Sequence, residues 1–339
     1  MKVFIYIALF SLSLLSCKKE EVIPAMNLDE PYELDIPAGF PSPVIPEDNL
    51  LTKYRVVLGK KLFFEKALSK NYTLSCASCH HPSRAFSDTV SLSIGTEGRT
   101  GIRNSPSLAN LAYKNSFFMD GGIPTLELQV NAPLEDHNEM NINILAVTER
   151  LEKKEEYITM SKKAYGREIG PFVITRALAA FERTLISGNS DFDKFQAGNI
   201  AALSLSQKRG KDLFFSNRTN CSSCHSGFNF TDNSFQSIGL YPNYADSGRM
   251  RITLNEADRN KFVVPSLRNV AVTKPYMHDG SLANLEEVID FFNSGGHLSA
   301  NKSNLVRPLN LSIQEKRDLI NFLNSLTDNE FLNNKEYKP

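Results

Sequence analysis

The residues best placed to do chemistry form two C-x-x-C-H runs, Cys76-Ala77-Ser78-Cys79-His80 and Cys221-Ser222-Ser223-Cys224-His225. Their spacing fits covalent attachment of haem c. Each pair of thiols adds to the porphyrin vinyl groups, and the adjoining His80 or His225 ligates the iron. Two C-x-x-C pairs sharing a zinc ion, or two redox disulfides, are the alternatives. Neither requires a His directly after both pairs.

These runs use four of the five Cys in the chain. The fifth, Cys17, ends Leu14-Leu15-Ser16-Cys17, which follows basic Met1-Lys2 and an apolar run over residues 3–15. This resembles a bacterial lipoprotein signal (residues 1–16), cut before Cys17, which is then lipidated; a plain cleaved signal is the alternative. The run is too short to span a bilayer permanently. The expected location is the periplasmic side of the bacterial envelope, held by a lipid anchor. Residues 17–46 are Pro- and acid-rich, without helical or strand period, and read as a tether.

The chain of 339 residues is long enough for two domains. Lys plus Arg equals Asp plus Glu at 38 each, so nothing argues for a nucleic-acid surface. Trp is absent.

The elements that must position the two runs are themselves repeated. Gly59-Lys60-Lys61-Leu62-Phe63-Phe64 matches Gly210-Lys211-Asp212-Leu213-Phe214-Phe215 just upstream of each C-x-x-C-H. Downstream, Phe86-Ser87-Asp88 and Ser93-Ile94-Gly95 match Phe230-Thr231-Asp232 and Ser237-Ile238-Gly239. Pro106-Ser107-Leu108 matches Pro265-Ser266-Leu267, and Asp120-Gly121 with Leu126-Glu127 matches Asp279-Gly280 with Leu285-Glu286. The duplication predicts two cytochrome c-like haem domains, over residues 47–200 and 201–335.

Periodicity makes the fold mainly α, with long loops and little strand. Leu51, Tyr54, Leu58 and Leu62 fall on one helical face. Gly170-Pro171 opens a helix carrying Ile174, Leu178, Phe181 and Leu185. Capping residues at Ser204-x-x-Gln207, Asn284-x-x-Glu287 and Ser312-x-x-Glu315 open three more. The second carries Leu285, Val288, Ile289 and Phe292 before Gly295-Gly296; the third carries Leu319, Phe322, Leu323 and Leu326.

Over residues 50–326 the chain resembles the bacterial diheme cytochrome c peroxidases, and within them the MauG-like branch. The resemblance rests on Leu68-Ser69-Lys70, both C-x-x-C-H runs, Arg103-Asn104-Ser105-Pro106-Ser107-Leu108, Val264-Pro265-Ser266-Leu267-Arg268-Asn269 and Pro275-Tyr276-Met277-His278-Asp279-Gly280-Ser281. It implies that the haem at His80 reduces hydrogen peroxide. The haem at His225 would receive electrons from a small donor, a cytochrome c or cupredoxin.

The resemblance places Gln129 and Glu139, ten residues apart, above the reacting haem with Pro133 between them. A carboxylate in an apolar pocket has its pKa raised, which suits a proton shuttle. Outside this frame Glu139 reads as a solvated loop charge. Many family members carry a His sixteen residues after the proximal one, which closes the resting site; here that position is Thr96, so the site is expected to be open at rest. His81 reads as a surface or propionate-contact residue, and His137 lies near enough to Glu139 to be a second pocket candidate.

At the second haem the family's axial position, fourteen residues after His278, is Phe292, which cannot ligate iron. That iron is then five-coordinate, or His297 or Met277 replaces the ligand. The usual inter-haem Trp, ten residues before Gln129, is Met119, so direct tunnelling or Tyr276 must serve. His278 would contact a propionate or order water. The resemblance also implies calcium held by Asn104, Thr273 and Pro275. A MauG-like oxidase acting on a protein or small substrate, and a non-catalytic electron-transfer diheme protein, are the alternative functions. A homodimer stays open as the assembly.

Overall fold

The computed structural model describes residues 29–339. The signal peptide and Cys17 lie outside the described residues. The helices in chain order are α1 (Lys53–Phe63), α2 (Leu126–Gln129), α3 (Asn131–Glu135), α4 (Ile144–Leu151), α5 (Glu155–Tyr165), α6 (Pro171–Arg183) and α7 (Asp191–Gln196). They continue as α8 (Leu205–Phe214), α9 (Met250–Thr253), α10 (Leu285–Ser294), α11 (Ile313–Asn324) and α12 (Asn329–Asn333). The sole sheet among the described residues pairs β1 (Phe235–Gln236) with β2 (Phe262–Val263), antiparallel, with Phe235 opposite Val263. The mainly helical fold with little strand is as expected.

Each unit is built on one close helix crossing. In the first, α1 crosses α6 at Gly59, where an added Cβ would lie 1.8 Å from the carbonyl oxygen of Ala177. In the second, α8 crosses α11 at Gly210, where a Cβ would lie 1.9 Å from the carbonyl oxygen of Asp318. Only Gly permits such an approach, which explains why the repeated motif begins with it. Leu58, Leu62, Phe63, Ile174, Ala177 and Phe181 fill the first core; Phe214, Phe230, Leu319, Phe322 and Leu323 fill the second.

The helix boundaries follow their capping chemistry. Pro171 stands in the first turn of α6, and reciprocal capping boxes open α8 at Ser204 and α11 at Ser312. The Asn284 side chain accepts from the Glu287 N–H, and Gly295 ends α10 at φ 85°.

Three expectations are corrected. Tyr54 is not on the buried face of α1: it is 41% exposed, with the Lys163 ammonium 5.3 Å from its ring centroid. Tyr54 lies in the first turn of α1, so it misses the crossing at Gly59. The second half of the supposed tether lies against the folded body as a strap. Its Phe40 ring sits 5.9 Å from Tyr113 of the first unit and 4.6 Å from Phe228 of the second, under the Arg268 guanidinium. The second unit does not keep its last residues. Phe331 and Leu332 of α12, with Tyr337, join the first unit's core, where Phe331 and Tyr337 pack on Phe86. Sequence patterning misses both because neither segment has a period; single aromatic side chains make the contacts.

A candidate diheme site

One continuous cavity of about 690 Å³ is lined by both C-x-x-C-H runs. Each run forms a single 3₁₀ turn, Cys76–Ser78 and Cys221–Ser223, that brings its two thiols and its His to the cavity wall. None of the four Cys is paired in a disulfide in this structure. Among the described residues no cluster of His, Cys, Asp or Glu could hold a metal ion, so the two pairs do not converge on a zinc.

The His residues are set up for iron. His80 Nδ1 lies 2.7 Å from the Phe86 carbonyl oxygen, and His225 Nδ1 lies 3.1 Å from the carbonyls of Phe230 and Pro265. A carbonyl only accepts, so Nδ1 donates and Nε2 keeps its lone pair. Phe86 and Phe230 achieve this aim with left-handed backbones, at φ 59° and 51°, an unusual cost for bulky residues. Burial lowers the pKa of both His, which keeps them neutral as ligation requires. Burial likewise pushes up the four Cys pKa values, Cys79 to about 11. Neutral thiols in an apolar wall suit thioether formation better than a thiolate metal site. The donor set therefore fits two c-type haems.

The remaining residues divide between the wall and its support. Gln129 ends α2, Pro133 lies in α3, and Glu139 follows; all three line the cavity. Glu139 is exposed and lines this cavity. Burial, aided by the Asp136 charge, pushes its carboxyl up to about 7. Thr96 is not in the wall. It is buried behind Glu139, where its N–H donates to the Glu139 carbonyl at 2.8 Å. Gly95 beside it does line the cavity, and a Cβ there would lie 1.9 Å from the Asn138 carbonyl oxygen. His81 points to Asp88, at 3.6 Å, outside the wall. His137 is also outside, 3.4 Å from Arg99, and so does not share the pocket with Glu139.

In the second unit, Leu285, Val288, Ile289 and Phe292 of α10 all face the cavity. Met277 also lines it, whereas His297 is exposed and outside. Met119, Tyr276 and His278 line the same cavity as the two haem runs. Tyr276 donates its hydroxyl to the Val270 carbonyl at 2.8 Å, and burial pushes its phenol up to about 12. His278 stacks on Phe262 at 4.2 Å between centroids and is held neutral by burial. At the rim Arg103 grips Asp246 through two bonds of 2.6 and 3.0 Å and Asp120 through one of 2.6 Å, clamping the units together. Asn104, Thr273 and Pro275 line the cavity as well.

Residues 53–201 match the family model described as di-haem cytochrome c peroxidase. The chain is 39% identical over 284 residues to the methylamine utilization protein MauG of Methylorubrum extorquens, covering 83% of this chain and 80% of that protein. The chain belongs to the di-haem cytochrome c peroxidase family. It is also 34% identical over 278 residues to the cytochrome c551 peroxidase of Nitrosomonas europaea, covering 80% of each. A solved MauG-like protein associated with microbial copper homeostasis superposes with a TM-score of 0.86 at 34% identity, over 90% of this chain and 98% of that one. As a family member the chain is an oxidoreductase that carries two c-type haems, takes peroxide as substrate and is served by an electron-donor protein.

Sequence reasoning missed Glu182 of α6, a buried carboxyl in the cavity wall. The matched helix crossings set it in register with Leu323, an apolar residue in the second unit, a correspondence that the repeated motifs of the sequence do not reach.

Proposed function

We propose that this peroxidase reduces hydrogen peroxide at the haem carried by Cys76, Cys79 and His80, and receives electrons through the haem carried by Cys221, Cys224 and His225. The balance is one peroxide, two electrons and two protons giving two waters. When bound, a haem supplies an iron that accepts oxygen ligands and exchanges electrons. The chain supplies the proton handling and the shape.

The observation that carries this reading is that Glu139, Gln129 and Pro133 share the cavity wall with the first C-x-x-C-H run. The Glu139 carboxylate takes a proton from one peroxide oxygen and delivers it to the other, the leaving oxygen. A pKa raised to about 7 suits both halves of that transfer. The Gln129 amide orients the peroxide by hydrogen bonding, and Pro133 fills the pocket without adding a competing N–H. Position 96 offers the first site no closing ligand, because Thr96 stands behind Glu139. The test is steady-state oxidation of reduced cytochrome c by peroxide, lost in Glu139→Gln.

Calcium beside His278 is part of the proposal. Asn104 Nδ2 donates to the carbonyls of Val90 and Ser91 at 3.1 and 3.0 Å, which leaves Oδ1 as its ligand atom, with the Thr273 and Pro275 carbonyls completing the protein set. The Asn104 N–H also donates to the His278 carbonyl at 2.8 Å, so cation binding would stiffen His278. His278 itself would contact a propionate or order water there. A periplasmic location is that of family members, and the lipid anchor at Cys17 and a homodimer are proposed with it. Among the described residues no helix is long and apolar enough to cross a membrane.

A second reading, oxidation of a protein or small substrate, is favoured by the 39% identity to a MauG protein. Fast peroxide consumption without oxidation of any cytochrome would support it.

A further inference from the structure

The first unit's cavity wall holds an acid that the proposed reaction does not use. Glu182 stands in the last turn of α6, is 6% exposed, and its Oε2 has no hydrogen-bond partner. The adjacent Arg183 is already committed: two of its guanidinium nitrogens donate to Glu127, at 2.5 and 3.0 Å. Burial pushes the Glu182 carboxyl up to about 8, against the charge of Arg183 and with that of Glu127. The carboxyl lies close enough to Cys76 for its charge to raise that thiol further. Glu139 acts on the same thiol more weakly.

Packing alone does not demand an acid there. Gly59 meets Ala177 and Phe181 where Gly210 meets Asp318 and Phe322. The same register sets Glu182 against Leu323. Leu323 is 5% exposed and lines the cavity at the second haem run. One fold therefore places a leucine at one haem and an unpartnered carboxyl at the other.

We propose that Glu182 is a redox-linked proton site of the first haem. An electron arriving from the donor removes one positive charge beside the carboxylate, and a solvent proton then forms an O–H bond on it. When the electron leaves, that bond breaks and the proton returns to solvent. Charge in the buried wall is thereby kept nearly constant, which eases electron arrival where an uncompensated charge change is most costly. The groups that act on Glu182 are the Arg183–Glu127 pair, with Glu127 supplied by α2, together with Cys76. Leu323 gives the second haem no such partner.

The inference rests on haem attachment at Cys76 and Cys79. Haem content is therefore measured first, and two haems per chain by the pyridine haemochrome assay separate a failure here from a failure of that reading. Spectroelectrochemical titration of the holoprotein is then run from pH 6 to 9. The first haem's midpoint potential is expected to fall as pH rises through this window; in Glu182→Gln the part of the fall near pH 8 is expected to be lost, leaving only the part near pH 7 that Glu139 carries, whereas Glu139→Gln keeps the part near pH 8. An unchanged slope in Glu182→Gln overturns the proposal. Should Glu182→Gln fail to fold, redox-difference infrared spectra of Glu139→Gln decide. A protonated carboxyl band gained on reduction of the first haem, and shifted in D₂O, supports the site; absence of that band overturns it.

Discussion

The N–H of Thr96 donates to the carbonyl oxygen of Glu139 at 2.8 Å. The backbone at the position expected to mark a vacant axial site thus holds the segment that carries Glu139, the acid proposed as the proton shuttle.

Glu139→Gln keeps the shape of the side chain and removes its proton transfer. Peroxide turnover is expected to fall by ~10²–10⁴-fold with haem content unchanged. Taking a proton from peroxide needs the carboxylate, so the wild-type rate should rise with pH through about 7. Rate profiles of both proteins check this: the rising limb should be absent in the variant.

Gly95→Ala tests the support without touching the acid. The new Cβ would lie 1.9 Å from the Asn138 carbonyl oxygen, so the segment carrying Glu139 must shift. A displacement on the order of 1 Å at a reacting group costs ~10²-fold in rate. The expected outcome is reduced kcat with both haems attached, read by turnover and haem assay.

Phe292→Met adds a thioether to the cavity-facing side of α10, where Phe292 already lines the second haem's space. The second haem should become low-spin and its potential should rise, since a Met ligand raises it. EPR and a potentiometric titration read both.

Arg183→Met breaks a buried pair. Burial raises the Glu127 carboxyl, but the bonds from Arg183 and Asn49 override it and hold the pKa below the ordinary value. A group with a lowered folded pKa contributes stability that is full above its unfolded pKa and is lost as pH falls through the folded one. The variant should lose ~3–5 kcal/mol near neutral pH and less in acid, where Glu127 is protonated in either protein. Urea midpoints at pH 7 and pH 3 compare the two.

Much of this was legible in the chain because covalent and local chemistry leaves local signatures. The C-x-x-C-H runs, the capping boxes at Ser204 and Ser312, and the Gly59 and Gly210 motifs each announce a constraint that acts within a few residues. The strap at Phe40 and the return of Phe331 and Tyr337 to Phe86 were not legible, because each is a long-range contact by isolated aromatics. The contact that Thr96 makes was not legible for a related reason: counting from His80 gives its position in the chain, while its backbone bond to Glu139 and the close approach of Gly95 to Asn138 depend on the folded loops. Glu182 was hidden inside an ordinary amphipathic helix until the matched crossings identified Leu323 as its counterpart.

The central claim is that the first haem reacts with peroxide while both irons are oxidised, through Glu139. Mixing the fully oxidised holoprotein with hydrogen peroxide in a stopped-flow spectrometer tests it most directly. The account predicts a prompt Soret change that needs no prior reduction and is slowed at least 10²-fold in Glu139→Gln. No change until one electron per protein has been added would contradict it.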